Sequence, residues 1–310
     1  MFLTILGLLA LAVLIRIAVF AIKWFMAWLG RGKPIRRAAE NREVPEEVRK
    51  IARQLDDYHR YKDYRKDIGK PVRLNARQLM VVARAEGIVR DDYVNHMRIG
   101  WYQIVILFLV GSVAGLFLEE GWMYLTAHIV EGRYGLVWGP FSPLYGVGAV
   151  LLTVISLQLR KHDAKWWQIF LVAMVVGGLL EQVTGWGMET FMGAVSWDYS
   201  HVPGHITKWV AVPFLVMWGF LGIVWAEVIT PWLLELIGEP RTERQVAFVF
   251  LLAVYLAADI FMTLACFERR AQRDAGIPPR NTFEQWIDEN YSDRFMSSRF
   301  QNMVIEGKKG

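Results

Sequence analysis

Four carboxylates, Glu119, Glu120, Glu181 and Glu189, stand within or at the ends of long apolar runs. A carboxylate at the centre of a membrane span costs about 3 kcal/mol on insertion scales, so it should face a bundle interior or water rather than lipid. Glu181, Gly185 and Glu189 recur at four-residue spacing, which puts them on one helix face. Two carboxylates about 12 Å apart along a helix cannot share one ion, but they can bracket a polar path. For Glu120 and Glu189 the plainer role is to reach the headgroup layer. Glu119 and Glu181 lie deeper, and for Glu181 the expected partner is Arg133 or His205.

Two aromatic loops accompany these acids. The first, Gly139-Pro140-Phe141-Ser142-Pro143-Leu144-Tyr145-Gly146, starts a span with two prolines and repeated glycine. Such a start suits close helix packing. It also suits a broken helix whose free backbone groups line a cavity, where Pro140, Ser142 and Tyr145 would be exposed to a ligand. The second, Trp197-Asp198-Tyr199-Ser200, is followed by Pro203-Gly204-His205. Asp198 and Ser200 are suited to bonding loop amides. Asp198, His201 and His205 carry ligand chemistry, but their spacing matches no zinc motif, and no metal or other cofactor is expected. No Gly-rich phosphate loop with its lysine occurs, so the chain is not itself an ATPase. No Ser or Cys nucleophile motif stands out, and no catalytic residue is assigned. The one cysteine, Cys266, lies in an apolar run, which excludes an intrachain disulfide and a cysteine metal site.

The elements that must position these groups are membrane helices. Hydrophobic residues make up 54% of the 310 and charged residues 21%, and the apolar ones fall in long runs between charged stretches. Many of the 14 Trp stand near the ends of those runs, as in an interfacial aromatic belt. The expected fold is all-α, a polytopic transmembrane helix bundle of about six spans in the cell membrane. Residues 1–29 read as an anchor helix, with an apolar run from Phe2 to Leu29 interrupted by Arg16 and Lys23. Residues 30–98 read as a basic helical soluble segment. There Pro45, Glu46 and Glu47 open one helix, with Val48, Ile51, Leu55 and Tyr58 on its apolar face. Asn75 caps a second that Gly87 would end. Five further spans are expected at about 100–127, 141–159, 166–192, 209–235 and 246–267, within a membrane domain over 99–268. A soluble basic tail over 269–310 should hold a short helix capped by Thr282 with Gln285.

The net charge of +5 is concentrated in 30–98 and after 268. Beside membrane spans this points to anionic lipid headgroups and the positive-inside tendency, not to nucleic acid. Five crossings cannot place both basic segments inside. Either the tail departs from the tendency, or one segment is re-entrant, the candidates being 136–148 and the run containing Pro213 and Pro231. The basic segment 30–98 is expected in the cytoplasm.

A weak internal repeat is also visible. Gly115 and Glu119 are spaced as Gly177 and Glu181 are, each span leads to an aromatic loop, and a further span follows each loop. Two copies inserted the same way round would form a parallel repeat, and transporters often place sites between repeats. The loops should pack together over one end of the bundle, above Glu119 and Glu181. Asp198 should then bond backbone amides or a ring N–H of the opposite loop.

The run Gly139 to Gly146, the helix bearing Glu181 and Glu189, Trp197-Asp198-Tyr199-Ser200 and Gly204-His205-Ile206 together resemble the ABC-transporter type IV membrane family over roughly residues 104–267. The chain departs from that family's pattern at Arg133-Tyr134-Gly135 and at Gly204-His205-Ile206. The resemblance implies a permease-like transport component, surrounded by membrane lipids, with a separate ATPase subunit. The alternative is an intramembrane enzyme acting on a lipid or lipid-linked substrate, in which Glu119, Glu181, Glu189, Asp198 and His205 would converge on one closed pocket.

Overall fold

The computed structural model describes Arg16 and residues 34–41, 43–240 and 242–305. The expected anchor over 1–29 lies outside the described residues, Arg16 apart. Among the described residues the chain is all-α, with a single two-stranded ladder. It divides into two compact units. One comprises the described residues up to Arg98 with Pro231–Ala247, and the other Ile99–Thr230 with the described residues from Phe248 onward.

The first unit contains α1 (Pro34–Glu40), α2 (Glu46–Asp67) and α3 (Ala76–His96). Glu46 and Glu47 occupy the first turn of α2, where the helix dipole favours them. Ala38, Ala52, Leu55 and Val89 form its small core, with Val48 and Ile51 packed against them. Asn75 caps α3 as its chemistry predicts. Its side chain accepts from the Gln78 amide at 2.9 Å, and the Gln78 side chain accepts from the Asn75 amide at 3.0 Å. Gly87, however, does not end α3, which runs nine residues further to His96. An interior glycine costs a helix about 1 kcal/mol, too little to stop one whose next residues, Val89 and Val94, are buried. Gly87 faces open space, with nothing within 4 Å of where a Cβ would sit. Gly87→Ala should therefore stabilise α3 by about 0.5–1 kcal/mol. The readout is amide hydrogen exchange in the full chain: protection of local openings around residues 85–91 should rise about 2- to 5-fold. Unchanged or lower protection would contradict this account.

The long apolar helices lie in the second unit except for Pro231–Ala247, which belongs to the first. These are α4 (Trp101–Ala127), α5 (Pro143–Lys161), α6 (Trp166–Gly187) continued by a π turn (Met188–Met192), and α7 (Val212–Val224) continued by a second π turn (Trp225–Ile229). The helix resumes as α8 (Thr230–Ile237), and α9 follows (Glu243–Asp274). Taken as Trp101–Ala127, Pro143–Lys161, Trp166–Met192, Val212–Ile237 and Glu243–Asp274, five helices are long and apolar enough to cross a membrane. Large apolar side chains such as Leu118, Leu125, Leu179, Phe220, Leu251 and Phe261 point outward along them. Water would penalise so continuous an apolar exterior, whereas lipid solvates it. The prolines do not break these helices. Pro143 and Pro213 lie in the first turn of α5 and α7, where a missing N–H costs nothing. Pro231 follows the second π turn, whose altered hydrogen-bond spacing accommodates it.

The internal repeat is present in the packing. On α4, a Cβ at Gly115 would lie 2.2 Å from Tyr145 of α5; on α6, one at Gly177 would lie 2.1 Å from Trp218 of α7. Gly146 meets Phe108 as Gly219 meets Phe170. One turn away, Gly111 packs on Ala149 at 2.3 Å, and Gly222 packs on Ala173 at 2.1 Å, the glycine and alanine having exchanged helices. Each of these contacts maps onto its mate by one constant offset for α4 to α6 and another for α5 to α7. Both hairpins are antiparallel and follow one another through the short turn at 162–165, so the two copies run the same way round. The second offset also carries Pro140-Phe141 onto Pro213-Phe214. The loop correspondence therefore differs from the one expected: Trp138–Ser142 is matched by residues 211–215, the N-cap and first turn of α7, not by Trp197–Ser200.

After α9 the chain folds back as α10 (Thr282–Asn290), α11 (Asp293–Arg299) and β2 (Val304–Ile305). The cap of α10 lies one residue earlier than expected, because Asn281, not Thr282, accepts from the Glu284 amide at 2.9 Å. Strand β2 pairs antiparallel with β1 (Ala194–Val195). Ile287, Met296 and Phe300 join Met262, Cys266, Phe267, Val137 and Ala194 in one core. The basic residues at the start of the tail are not solvated singly. Arg269, 2% exposed, pairs with Asp288 and Glu284, and Arg273 pairs with Asp288 and Asp293.

Candidate functional site

The site stands at the end of the bundle where α4 and α6 finish. His128 turns the chain after α4 in a left-handed conformation, its amide donating to Tyr124 O at 3.2 Å. The following loop then brings Arg133 back onto the helix end. Its guanidinium donates to Glu119 Oε1 and Glu131 Oε1, each at 2.7 Å, and its amide to Glu120 Oε1 at 3.3 Å. The Arg133 side chain is only 12% exposed, so this is a sheltered, charge-assisted cluster. Tyr145, seated against Gly115, has Glu119, Tyr199 and Arg133 as its electrostatic neighbours.

Glu181 is 7% exposed and faces the interior. Its partner is neither Arg133 nor His205. The Trp218 ring Nε1–H donates to Glu181 Oε1 at 3.1 Å, and Oε2, fully enclosed, accepts from none of the described residues. Arg133 is engaged by Glu119 and Glu131. His205 is held outward by its own loop, where its Nδ1 lies 3.2 Å from Val202 O and Gly204 turns at φ +80°. Tyr199 is an electrostatic neighbour of both carboxylates. Its ring stacks on Phe214 at 4.3 Å, and its amide donates to Lys208 O at 2.7 Å. Burial pushes the Tyr199 hydroxyl well above the usual phenol range, and the negative charges of Glu181 and Glu119 push it further. Glu119, Tyr145, Glu181 and Tyr199 thus form one neighbourhood, built from α4, α5, α6 and the second loop.

The remaining sequence candidates lie elsewhere or do other work. Glu189 sits in the first π turn, which breaks the four-residue phase with Glu181, and it pairs with Lys208 at 2.8 Å. Asp198 is exposed. It accepts from the Ser200 amide at 2.8 Å, within its own loop and not across to the other, and the Ser200 hydroxyl and amide hold its carboxyl below the usual range. Trp197 anchors the same loop through its ring N–H to Trp209 O at 3.1 Å. Pro140 is exposed, and Ser142 is buried at the head of α5, its amide donating to Ser112 O at 3.3 Å. Among the described residues no group of three or more His, Cys, Asp or Glu could hold a metal ion.

Two features escaped the sequence reading. Trp218 reads as one more apolar aromatic until its register against Glu181 is known. Asp259, the single acid inside the apolar run of α9, is fully buried and accepts from the Trp138 amide at 2.9 Å; that lone acid was the available signal. Thr263 accepts from the Val137 amide at 2.9 Å. From the tail, Arg299 donates to Leu136 O and Gly139 O and lies 3.9 Å over the Tyr134 ring. The first loop is thereby pinned from α9 and α11 at once, and Arg133 with it.

The arrangement offers one carboxylate neutralised by a guanidinium, a second with an unused oxygen, and two phenols beside them. Such a set can hold or pass a charged group across helix interfaces. No curated protein and no solved structure matches the chain. The family model described as "Putative ABC-transporter type IV" matches residues 106–264, more than half of the chain, and this stretch includes nearly all of both hairpins, both loops and the residues around Glu119 and Glu181, but not Arg299 of the tail. The chain is a membrane protein that belongs to this transporter-type family.

Proposed function

We propose that the chain is the permease-like subunit of an ABC-type transporter, crossing the cell membrane several times and driven by a separate ATPase subunit. The observation that carries this reading is the duplicated hairpin with a sheltered carboxylate in each copy and Tyr199 as an electrostatic neighbour of both. Repeat interfaces of this kind are where transporters hold substrate. The family supports the transport class, and the absence of a phosphate-loop motif in the sequence calls for a partner to supply ATP hydrolysis. The enzyme reading required Glu119, Glu181, Glu189, Asp198 and His205 to converge. Glu119 and Glu181 share Tyr199 as a neighbour, while Asp198 and His205 are exposed and Glu189 is paired with Lys208.

The test is purification from native membranes followed by reconstitution in sealed vesicles. An ATPase should co-purify, and mass spectrometry should show an ATP-dependent change in vesicle solute content that Glu181→Gln reduces at least 10-fold. If no ATPase co-purifies and the vesicles show no ATP-dependent flux, the reading is overturned.

A further inference from the structure

The two hairpins are alike in packing but not in charge. In the first, Glu119 lies one turn beyond Gly115, and the aromatic seated on that glycine, Tyr145, neighbours the carboxylate. In the second, Glu181 lies one turn beyond Gly177, and the aromatic seated there, Trp218, donates to the carboxylate. Glu119 has a cation of this chain on it, the Arg133 guanidinium at 2.7 Å. Among the described residues Glu181 has none, and its Oε2 is enclosed without a hydrogen-bond partner there. The cation that the second loop does carry, Lys208, is spent on Glu189, beyond the break in helix phase.

We propose that Glu181 receives a cationic nitrogen group of a ligand, a guanidinium or primary ammonium, which takes the place in the second hairpin that Arg133 fills in the first. Several observations fit that class. A carboxylate with an unused oxygen in a sheltered site binds a hydrogen-bonding cation far better than a neutral group or an anion. Trp218 meets Glu181 with the N–H edge of its ring, and Tyr199 is an electrostatic neighbour, so the position is bordered by aromatic side chains that suit the organic part of such a ligand. The titratable group beside the position is Tyr199 from the second loop, which also neighbours Glu119 of α4; Tyr145 of α5 and Arg133 lie around Glu119. Arg133 is already neutralised by Glu119 and Glu131, so it does not compete for Glu181. Oε2 is closed to solvent here, so the ligand enters from a conformation that reaches it, as alternating access requires.

The inference rests on the transport reading for its biological sense, but its binding step is testable alone. The probes are ethylguanidinium and ethylammonium, with ethylsulfonate and propanamide as the anionic and neutral controls. Calorimetric titration uses the full-length chain in lipid nanodiscs. The expected result is saturable binding of the cations only, weakened at least 10-fold in Glu181→Gln and retained in Asp198→Asn, whose side chain is exposed in the loop. Thermal unfolding of Glu181→Gln checks that it is folded. Wild-type protein that binds neither cation, or binds the controls as well, overturns the proposal without any variant. So does cation binding that Glu181→Gln leaves intact. Vesicle flux separates the two claims. Flux without cation binding keeps the transport reading and removes this one, whereas Glu181-dependent binding without flux keeps the site and removes the transport reading.

Discussion

Arg133→Met should destabilise the folded full-length chain by about 3 kcal/mol, the scale for removing one partner of a sheltered ion pair. The loss exceeds that of a surface bridge because the Arg133 and Glu119 side chains are only 12% and 25% exposed. Methionine fills much of the same volume, so the effect isolates charge: Glu119 and Glu131 would face each other with no cation between them. Adding Glu119→Gln should recover most of the loss, since the buried charge disappears with its partner. Glu181→Gln should behave differently, costing nothing or raising stability. The amide oxygen still accepts from Trp218, and an unpaired enclosed charge is gone. Thermal unfolding of purified protein, read by near-UV circular dichroism, measures all four proteins. An Arg133→Met chain that melts with wild type, or one that Glu119→Gln fails to rescue, would show that the cluster contributes no stability.

That contrast also shows where the sequence stops being informative. The interior position of Glu181 follows from a carboxylate in an apolar run, because lipid is an impossible surrounding for it. Its partner does not follow. Trp218 is 37 residues away, and which residue of α7 meets which turn of α6 depends on the glycines that set interhelical register. The half of the repeat in α4 and α6 was legible, since Gly115 with Glu119 and Gly177 with Glu181 are identical pairs. The half in α5 and α7 was hidden by Tyr145 standing for Trp218 and Ala149 for Gly222, although Pro-Phe and the glycine after the aromatic recur in both. The reading matched two Trp-bearing loops instead and misassigned the correspondence. Helix ends followed the same division. Asn75 capped as its chemistry requires, whereas Gly87 was overruled by the burial of Val89. The tail was expected as a solvated basic segment. Its folding onto both loops rests on long-range pairs such as Asn302 with Ser196 and Gln301 with Gly132, which no local pattern encodes.

The close register of α6 on α7 makes Gly177→Ala a severe change despite its single methyl group. An added Cβ would lie 2.1 Å from Cγ of Trp218, and the atoms met are at the root of a rigid ring, not the far end of a flexible chain. The ring cannot step aside without losing its N–H bond to Glu181, so α6 and α7 must separate or the indole must turn. Overpacking of a tight helix contact costs about 1–3 kcal/mol. Losing the last hydrogen bond of an enclosed carboxylate adds about 1–3 kcal/mol. Gly115→Ala should cost less. Its Cβ meets Tyr145 at 2.2 Å, but Glu119 keeps Arg133 whatever the tyrosine does. Gly87→Ala, in open space on α3, should have the opposite sign. The expected order of melting temperatures is therefore Gly87→Ala above wild type, then Gly115→Ala, then Gly177→Ala. Combining Gly177→Ala with Glu181→Gln should restore the carboxylate share of the loss and leave the steric share. If Gly177→Ala and Gly115→Ala cost the same and Glu181→Gln restores nothing, then Trp218 is only packing, and the second hairpin does not depend on its bond to Glu181.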